Sequence, residues 1–213
     1  MAWSDRDWIL EGAAVRVSMV GFDSGSEQDR CLVGSDVSVI NSDLTASVDI
    51  TSAANLAENR NIAFMGVTPG GPFDIPGSDA RKMLEAANPS GYRNSEVVKP
   101  YYNAMDITRR TRDVWTIDFG TDLSIEEAAK YEAPFNYVRD VVFPARMESR
   151  QPQREKDAWW VYTRSRPEMR NALVPLSRYI ATPMVAKHRV FVWLAPEIVP
   201  ANLINVIARS DDY

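Results

Sequence analysis

Two segments near the start of the chain alternate apolar and polar residues with the period of a β-strand. In AVRVSMVGF, Val15 and Val17 share one face while Arg16 takes the other. GSDVSVINSDL repeats the alternation, and the stretch DSGSEQD between the two has loop chemistry. The pattern predicts a β-hairpin with a long connection. It needs a further covering surface, because two strands alone are marginally stable in water.

The middle of the chain predicts short strands that alternate with helices. IAFMGV and VWTIDFG are typical of buried strands, and SDARKMLEAA predicts a helix capped by Ser78 or Asp79. Ser124, with Glu127 three residues later, predicts a capping box at the start of SIEEAAKYEAPFNYVRDVV. Pro134 should kink this helix or divide it in two.

The last third predicts a strand, a helix and then a hairpin. AWWVYT is strand-like, and RPEMRNALVPL predicts a helix opened by Pro167. RYIATPMV and RVFVWL are apolar runs joined by Ala186, Lys187 and His188, a joint too short for a crossover helix. An antiparallel hairpin is therefore expected, and the predicted fold class is α+β with mostly antiparallel strands.

Composition narrows the classes of protein to which the chain can belong. The 213 residues are 45% hydrophobic and 25% charged, enough to bury a core. One cysteine, Cys31, and one histidine, His188, exclude an internal disulfide and a Cys-rich zinc site, so no metal site is predicted. The acidic start MAWSDRDWILEG lacks the charge pattern of a secretion signal. We expect a cytoplasmic protein without a membrane partner.

Motifs for catalysis are missing from the sequence. GVTPGGPF lacks the Lys-Ser/Thr pair of a phosphate-binding loop, so Gly70 and Gly71 are expected to form a turn. NPSG at Asn88–Gly91 is better explained as a helix stop than as a base-binding tetrapeptide. A single histidine without Gly-x-Ser-x-Gly gives little support to a Ser-His-Asp triad. No catalytic residue is predicted.

Charge is unevenly distributed along the chain. Residues 1–58 contain three Lys and Arg against ten Asp and Glu, whereas residues 144–194 contain ten Lys and Arg against four acids. A basic segment on an acidic protein fits a polyanion-binding face, although a solvated surface would give the same balance. Arg146, Arg150 and Arg154 recur every four residues, which on a helix would form one basic stripe. Lys187, His188 and Arg189 lie where a hairpin tip could enter a DNA groove.

Several longer segments carry a resemblance to a known family. In chain order they are GAAVRVSMVGF, FMGVTPGGPF, NPSGYRNSEVVKPYYNAMDIT, WTIDFG, KYEAPFNYV, WWVYTRSRPEMRNAL and YIATPMVAKHRVFVWL, followed by the closing ARSDDY. Together they resemble the C-terminal part of class I S-adenosylmethionine-dependent DNA adenine methyltransferases. The resemblance is to the MmeI-like Type IIL restriction–modification and phage-defence enzymes.

The resemblance implies a division of the chain and the absence of independent catalysis. Residues 1–50 resemble the terminal strands of a methyltransferase domain, and residues 51–213 resemble its target recognition domain. The family's glycine-rich cofactor loop and its Asn-Pro-Pro-Tyr/Phe tetrapeptide lie upstream of these parts and are absent from this sequence. The chain is therefore expected to be an inactive fragment without a cofactor. The parent enzyme would bind S-adenosylmethionine and supply an upstream methyltransferase domain as a partner.

The implied function is recognition of a specific double-stranded DNA sequence, so that the parent can methylate N6 of a flipped adenine. Family members carry Ser-Glu-Arg-Arg where this chain has Ala186-Lys187-His188-Arg189, so a different specificity is expected. Lys187, His188 and Arg189 are the predicted base readers. The predicted contacts to the DNA backbone are Arg146, Arg150, Arg154, Arg164 and Arg166. The alternative is a protein-interaction module of a defence complex without direct DNA readout.

Overall fold

The chain divides into two compact units, Met1–Ala57 and Glu58–Tyr213. The computed structural model describes residues 1–48, 54, 56–150, 152–209 and 211. The predicted boundary between residues 50 and 51 lies outside the described residues, as do three residues of the closing ARSDDY. The assignment of the units to two functional domains stays a prediction.

The first unit is a four-stranded sheet with the order β2-β1-β3-β4. Its strands are β1 (Ala2–Leu10), β2 (Ala13–Val20), β3 (Arg30–Leu32) and β4 (Ser35–Val37). β1 pairs antiparallel with β2, and β3 pairs antiparallel with β4. A parallel contact between Ala2 and Leu32 joins the two hairpins. The predicted single hairpin is wrong, because AVRVSMVGF pairs with the preceding strand and not with GSDVSVI.

Two tight turns explain this pairing. Glu11 and Gly12 have φ of 48° and 87°, and Val33 and Gly34 have φ of 53° and 83°. Two consecutive positive φ values are typical of the two-residue type I′ turn, which matches the twist of hairpin strands and favours glycine at its second position. Each Gly therefore closes a short hairpin, which leaves DSGSEQD as the link between the two.

The sequence gives no strand signal for β1, because acidic residues lie within it. Asp5 and Asp7 break the apolar alternation of β1, so the segment lacks a strand pattern. In the structure both carboxylates accept hydrogen bonds from Arg16 on β2, at 2.5 Å and 2.8 Å. These exposed cross-strand pairs explain how β1 tolerates acids, although such pairs contribute little stability.

The second unit contains two further four-stranded sheets. The first has the order β10-β9-β12-β5 and is antiparallel throughout, with β5 (Ala63–Met65), β9 (Tyr179–Pro183), β10 (Val192–Leu194) and β12 (Ile204–Ile207). The second has the order β11-β7-β8-β6, with β6 (Asp74–Pro76), β7 (Val98–Tyr102), β8 (Val114–Ile117) and β11 (Val199–Pro200). Only the β7–β11 pair of this unit's described strands is parallel. The α+β class with mostly antiparallel strands is confirmed.

Seven short helices accompany these sheets. They are α1 (Gly77–Glu85), α2 (Ala104–Thr108), α3 (Ile125–Ala128), α4 (Glu132–Tyr137), α5 (Phe143–Glu148), α6 (Gln153–Asp157) and α7 (Pro167–Leu173) in the described part of the chain. A π-helical turn, Val138–Val142, joins α4 to α5, and 3-10 turns span Ala57–Asn59 and Asn94–Glu96. No helix in the described ranges has the length and apolar character that a bilayer crossing requires.

The predicted capping box and helix division are confirmed. Ser124 Oγ accepts from the backbone N–H of Glu127, and Glu127 Oε2 accepts from the backbone N–H of Ser124. The helix stops after Ala128 and restarts at Glu132, which places Pro134 in the first turn of α4, where proline costs no helical hydrogen bond. Pro167 likewise opens α7 as predicted.

The predicted strand AWWVYT is wrong, since residues 158–161 form turns. Trp159 packs against Phe143 and Phe135 with ring centroids 5.0 Å and 5.7 Å away. The indole N–H of Trp160 donates to the carbonyl of Leu123 at 2.9 Å. The segment follows the aromatic core instead of a strand ladder, and both tryptophans are half-buried in that packing and not displayed for base stacking.

One hydrophobic core serves both sheets and the helices of the second unit. It contains Tyr179 and Val206 of the first sheet, Ile75 and Ile117 of the second, and Val142 of the π-helical turn. A buried ion pair fixes α7 on this core, because Arg170 Nη2 contacts both carboxylate oxygens of Asp118, at 3.0 Å and 2.8 Å.

Gly66 marks the closest approach of two backbones in the second unit. Its N–H donates to the carbonyl of Ile204 at 3.0 Å. A Cβ at this position would overlap the carbonyl oxygens of Pro200 and Ala201. The segment after β5 can therefore lie against the segment that leads into β12 only without a side chain.

We expect Gly66→Ala to lower the free energy of unfolding by about 1–3 kcal/mol, because backbone atoms must shift to admit the methyl group. Urea unfolding followed by tryptophan fluorescence measures the change. Gly21→Ala is the matched control, since its Cβ would meet mainly the flexible Met1 side chain at 3.3 Å. Equal stability of the two variants would contradict the close approach.

Candidate nucleic-acid interface

The predicted hairpin of the last third is confirmed, but its connection is longer than predicted. β9 and β10 pair antiparallel through Ala181–Val192, Ile180–Trp193 and Tyr179–Leu194. After Pro183 the backbone N–H of Met184 donates to the carbonyl of Leu203 at 2.9 Å, so the chain follows that neighbour and leaves β10. Residues 184–191, called here the β9–β10 connection, therefore replace the predicted three-residue joint.

The β9–β10 connection presents three nitrogen-bearing side chains to solvent. Lys187, His188 and Arg189 are all exposed. Arg189 Nη1 donates to the carbonyl of Pro183 at 3.2 Å, which holds the guanidinium against the base of the connection. This bond uses one N–H of a group that carries five, so the fork geometry that binds a guanine edge is still available.

The sheet register places the connection beside the end of β5. Thr182 of β9 is paired with Asn205 of β12, which is paired with Met65 of β5. Adjacent strands lie 4.7–4.9 Å apart, so Met65 lies about 10 Å from Thr182 across the sheet. Both β5 and β9 run towards this end of the sheet, which we call the connection end.

Two of the predicted backbone contacts lie at the connection end. Arg166 Nε donates to the carbonyl of Gly66 at 3.2 Å, and its Nη2 lies 3.1 Å from the sulfur of Met65. Arg164 exchanges backbone hydrogen bonds with Thr68, both 3.0 Å, and its side chain is exposed. The strand register therefore places the anchors of Arg164 and Arg166 at the same end of the sheet as the β9–β10 connection.

Arg146 is a correction to the predicted set. Its side chain is buried, with the residue 1% exposed, and stands over the Phe73 ring at 5.1 Å. Its Nη atoms donate to the carbonyls of Glu155, Ala158 and Pro69 at 3.2, 3.1 and 2.6 Å. Burial lowers the pKa of this guanidinium. Arg146 is a structural residue and does not face a DNA backbone.

The predicted basic stripe is also wrong. Arg146 lies on α5, which ends at Glu148, whereas Arg154 lies on α6, which begins at Gln153. Arg150 lies between the two helices, so the three residues do not share a helix face. Arg150 and Arg154 are exposed. Arg154 lines a cleft of ≈540 Å³ with Thr163 and Ser165.

One cationic contact near the connection was missed by the sequence analysis. Arg178 precedes β9 and stands over the exposed ring of Trp193 on β10, with its Cζ 4.0 Å from the ring centroid. The register explains the contact, because Trp193 is paired with Ile180, two residues after Arg178. The alternation of the hairpin strands is the signal that could have shown it. Cation–π contacts of this kind orient an arginine at a surface.

The structure agrees with the interpretation of GVTPGGPF as a turn and of NPSG as the end of a helix. Gly70 has a φ of 70°, as expected for a turn. The Asn88 side chain donates to the carbonyl of Tyr92 and to Asn94 Oδ1, both at 2.7 Å, and accepts from the N–H of Glu132 at 3.0 Å. Its amide is occupied in packing and not arranged to hold a base. Among the described residues, no group of three or more His, Cys, Asp or Glu could hold a metal ion.

Arg146→Ala should destabilise the second unit by about 2–5 kcal/mol, because it removes a buried side chain together with the hydrogen bonds that join Pro69, Glu155 and Ala158. The carbonyls of Pro69 and Ala158 keep a backbone donor each, from Thr163 and Val161. Chemical unfolding compares Arg146→Ala with Arg154→Ala, an exposed neighbour whose loss should change stability by less than about 0.5 kcal/mol. A stable, fully folded Arg146→Ala would show that the guanidinium does not hold these segments together.

The chain shares its fold with a solved structure, whereas comparisons of its sequence found no match. No protein-family model matches the chain, and no curated protein matches it. The chain is similar to a solved structure of the Type IIL restriction–modification enzyme MmeI in complex with DNA, with a TM-score of 0.66 and 14% sequence identity. The match covers 99% of this chain and 29% of that chain. At this identity the likeness shows a shared fold, and this chain spans less than a third of the length of its neighbour.

Proposed function

We propose that the chain recognises a specific sequence of double-stranded DNA as the target recognition part of a longer cytoplasmic enzyme. That enzyme would be a DNA N6-adenine methyltransferase of a restriction–modification or phage-defence system. The observation that carries the proposal is the exposed β9–β10 connection with Lys187, His188 and Arg189, in a fold shared with an enzyme solved in complex with DNA.

The geometry of the connection suits reading of base edges. A two-stranded β-ribbon fits the major groove of B-DNA, where Arg and Lys bind the O6 and N7 acceptors of guanine. β9 and β10 are part of a four-stranded sheet, so the element that would approach a groove is the eight-residue connection between them, which β9 anchors through its pairing with β12. The cations can therefore approach a groove while their strands stay attached to the core.

The four exposed or half-buried arginines suit a backbone role. Arg164 and Arg166 lie at the connection end, Arg150 lies before α6, and Arg154 lies on α6. Arginine binds phosphate oxygens through two N–H groups at once. Contacts of this kind fix register on the duplex without reading its sequence. Arg146 is not part of this proposal, because it is buried.

Catalysis belongs to the parent enzyme in this proposal. The family's glycine-rich cofactor loop is absent from the 213 residues, so we assign S-adenosylmethionine to an upstream methyltransferase domain and no residue of this chain to it. The tetrapeptide that would hold the flipped adenine is also absent, and the Asn88 amide is occupied in packing. Unit Met1–Ala57 would supply the terminal strands of that domain.

Duplex binding should weaken steeply with salt, because each neutralised phosphate contributes about 0.9 to the slope of log affinity against log salt. Arg154→Ala should reduce the slope by about 0.9 in fluorescence anisotropy titrations of a mixed-sequence duplex. Arg139→Ala is the matched control, since Asp140 already pairs with this exposed arginine at 2.7 Å. Absence of salt-dependent duplex binding would instead favour a protein-interaction module.

Arg189→Ala should change the sequence that the chain selects from a random duplex library. Loss of one bidentate base contact removes about 1–3 kcal/mol of discrimination at one position. Sequencing of the bound pool gives the preference at every position. Arg154→Ala should bind more weakly with the same preference. An unchanged preference in Arg189→Ala would refute its role as a base reader.

A further inference from the structure

The β9–β10 connection exposes large apolar side chains beside its cations. Val185 is 82% exposed, Phe191 is 59% exposed and Met184 is 37% exposed. Val185 and Phe191 lie on either side of Lys187, His188 and Arg189 in the sequence. Exposed apolar groups clustered in a surface loop are typical of a binding site, because each would gain free energy from contact with an apolar partner.

Charge around the connection indicates the partner. Residues 169–196 contain no Asp or Glu. Arg170 in this stretch is paired with Asp118, which leaves Arg178, Lys187 and Arg189 as its positive charges near the connection. The chain as a whole has a net charge of −5, so this segment departs from the rest. Together with the exposed apolar side chains, these charges suit a partner that is anionic and locally apolar. The major groove of DNA fits, since phosphates flank a floor on which thymine presents one apolar group, the 5-methyl.

The connection is held at both ends, which keeps these side chains displayed. At its start, Met184 donates to Leu203. Arg189 donates across to Pro183, and Val192 is paired with Ala181 at its end. These bonds hold the first residue of the connection and the strand that follows its last residue, so part of the cost of ordering Val185 and Phe191 in a groove is already met.

We infer that Val185 and Phe191 read thymine through apolar contact with its 5-methyl group, as a second readout beside the hydrogen bonds of Lys187 and Arg189. This inference rests on the proposed function and adds to it. Hydrogen-bonding cations select guanine, whereas an apolar contact selects thymine and rejects the bases that lack a methyl group at that place. The connection would then read A·T as well as G·C pairs.

The test replaces thymine by uracil, which removes the methyl group and leaves base pairing unchanged. The 213-residue chain is titrated with the duplex enriched from the random library, or with the mixed pool if no sequence is enriched, in thymine and in uracil form. We expect about fourfold weaker binding for each methyl group that is read, the equivalent of about 0.8 kcal/mol per buried carbon. In Val185→Ser/Phe191→Ser, which leaves no methyl group or ring to contact the thymine 5-methyl, the two forms should bind equally.

Matched controls separate this effect from general changes of the surface. Val174 is 81% exposed and Phe22 is 93% exposed, so Val174→Ser/Phe22→Ser removes similar apolar surface elsewhere and should keep the thymine preference. All four positions are exposed, and thermal melting checks that both double variants are folded. Equal binding of the two duplex forms by the unsubstituted chain would overturn the inference and leave the proposed function intact. A preference that persists in Val185→Ser/Phe191→Ser would also overturn it. Failure to bind any duplex at low salt would refute both.

Discussion

The second unit depends on one guanidinium that is buried among carbonyl oxygens. Arg146 reaches from α5 to Pro69, which follows β5, and to Glu155 and Ala158, which flank the end of α6. The guanidinium therefore joins three segments that share no strand pairing: α5, the loop after β5, and the end of α6. Among the described residues Nε of this group has no hydrogen-bond partner, so two nitrogens make all of these bonds. The cost of burying the charge is offset only while all the carbonyls stay in place.

The exposed cations follow from that internal arrangement. Segment 155–166 begins at the carbonyls that Arg146 binds. At its other end, Arg164 is hydrogen-bonded to Thr68, and Arg166 donates to the carbonyl of Gly66. The loop after β5 is thus held by Arg146 on one side and by the two surface arginines on the other. Because β5 and β9 end at the same side of their sheet, this loop leaves the sheet at the same end as the β9–β10 connection.

Structural features were predictable from the sequence where they depend only on residues close together in the chain. The Ser124–Glu127 box, Pro167 at the start of α7 and the hairpin between two apolar runs needed only nearby residues. Errors arose where distant partners decide the outcome. β1 tolerates its acids because Arg16 of the neighbouring strand binds both of them, and Arg146 is buried because carbonyls far along the chain converge on it. A four-residue spacing cannot distinguish an arginine in solvent from one at the centre of a core. Exposure of Lys187, His188 and Arg189 agrees with their predicted placement, and their contact with bases stays a prediction.

The hydrogen bond between Met184 and Leu203 marks the point where the β9–β10 connection leaves the sheet. The residues up to Pro183 belong to β9, and residues 185–191 make few hydrogen bonds back to the sheet. Natural variation can therefore rewrite residues 185–191 without repacking the interior. Like the loops of an antibody, such a segment can be exchanged while the sheet that carries it keeps its sequence. Replacement of these few residues would then be a route to a new binding preference.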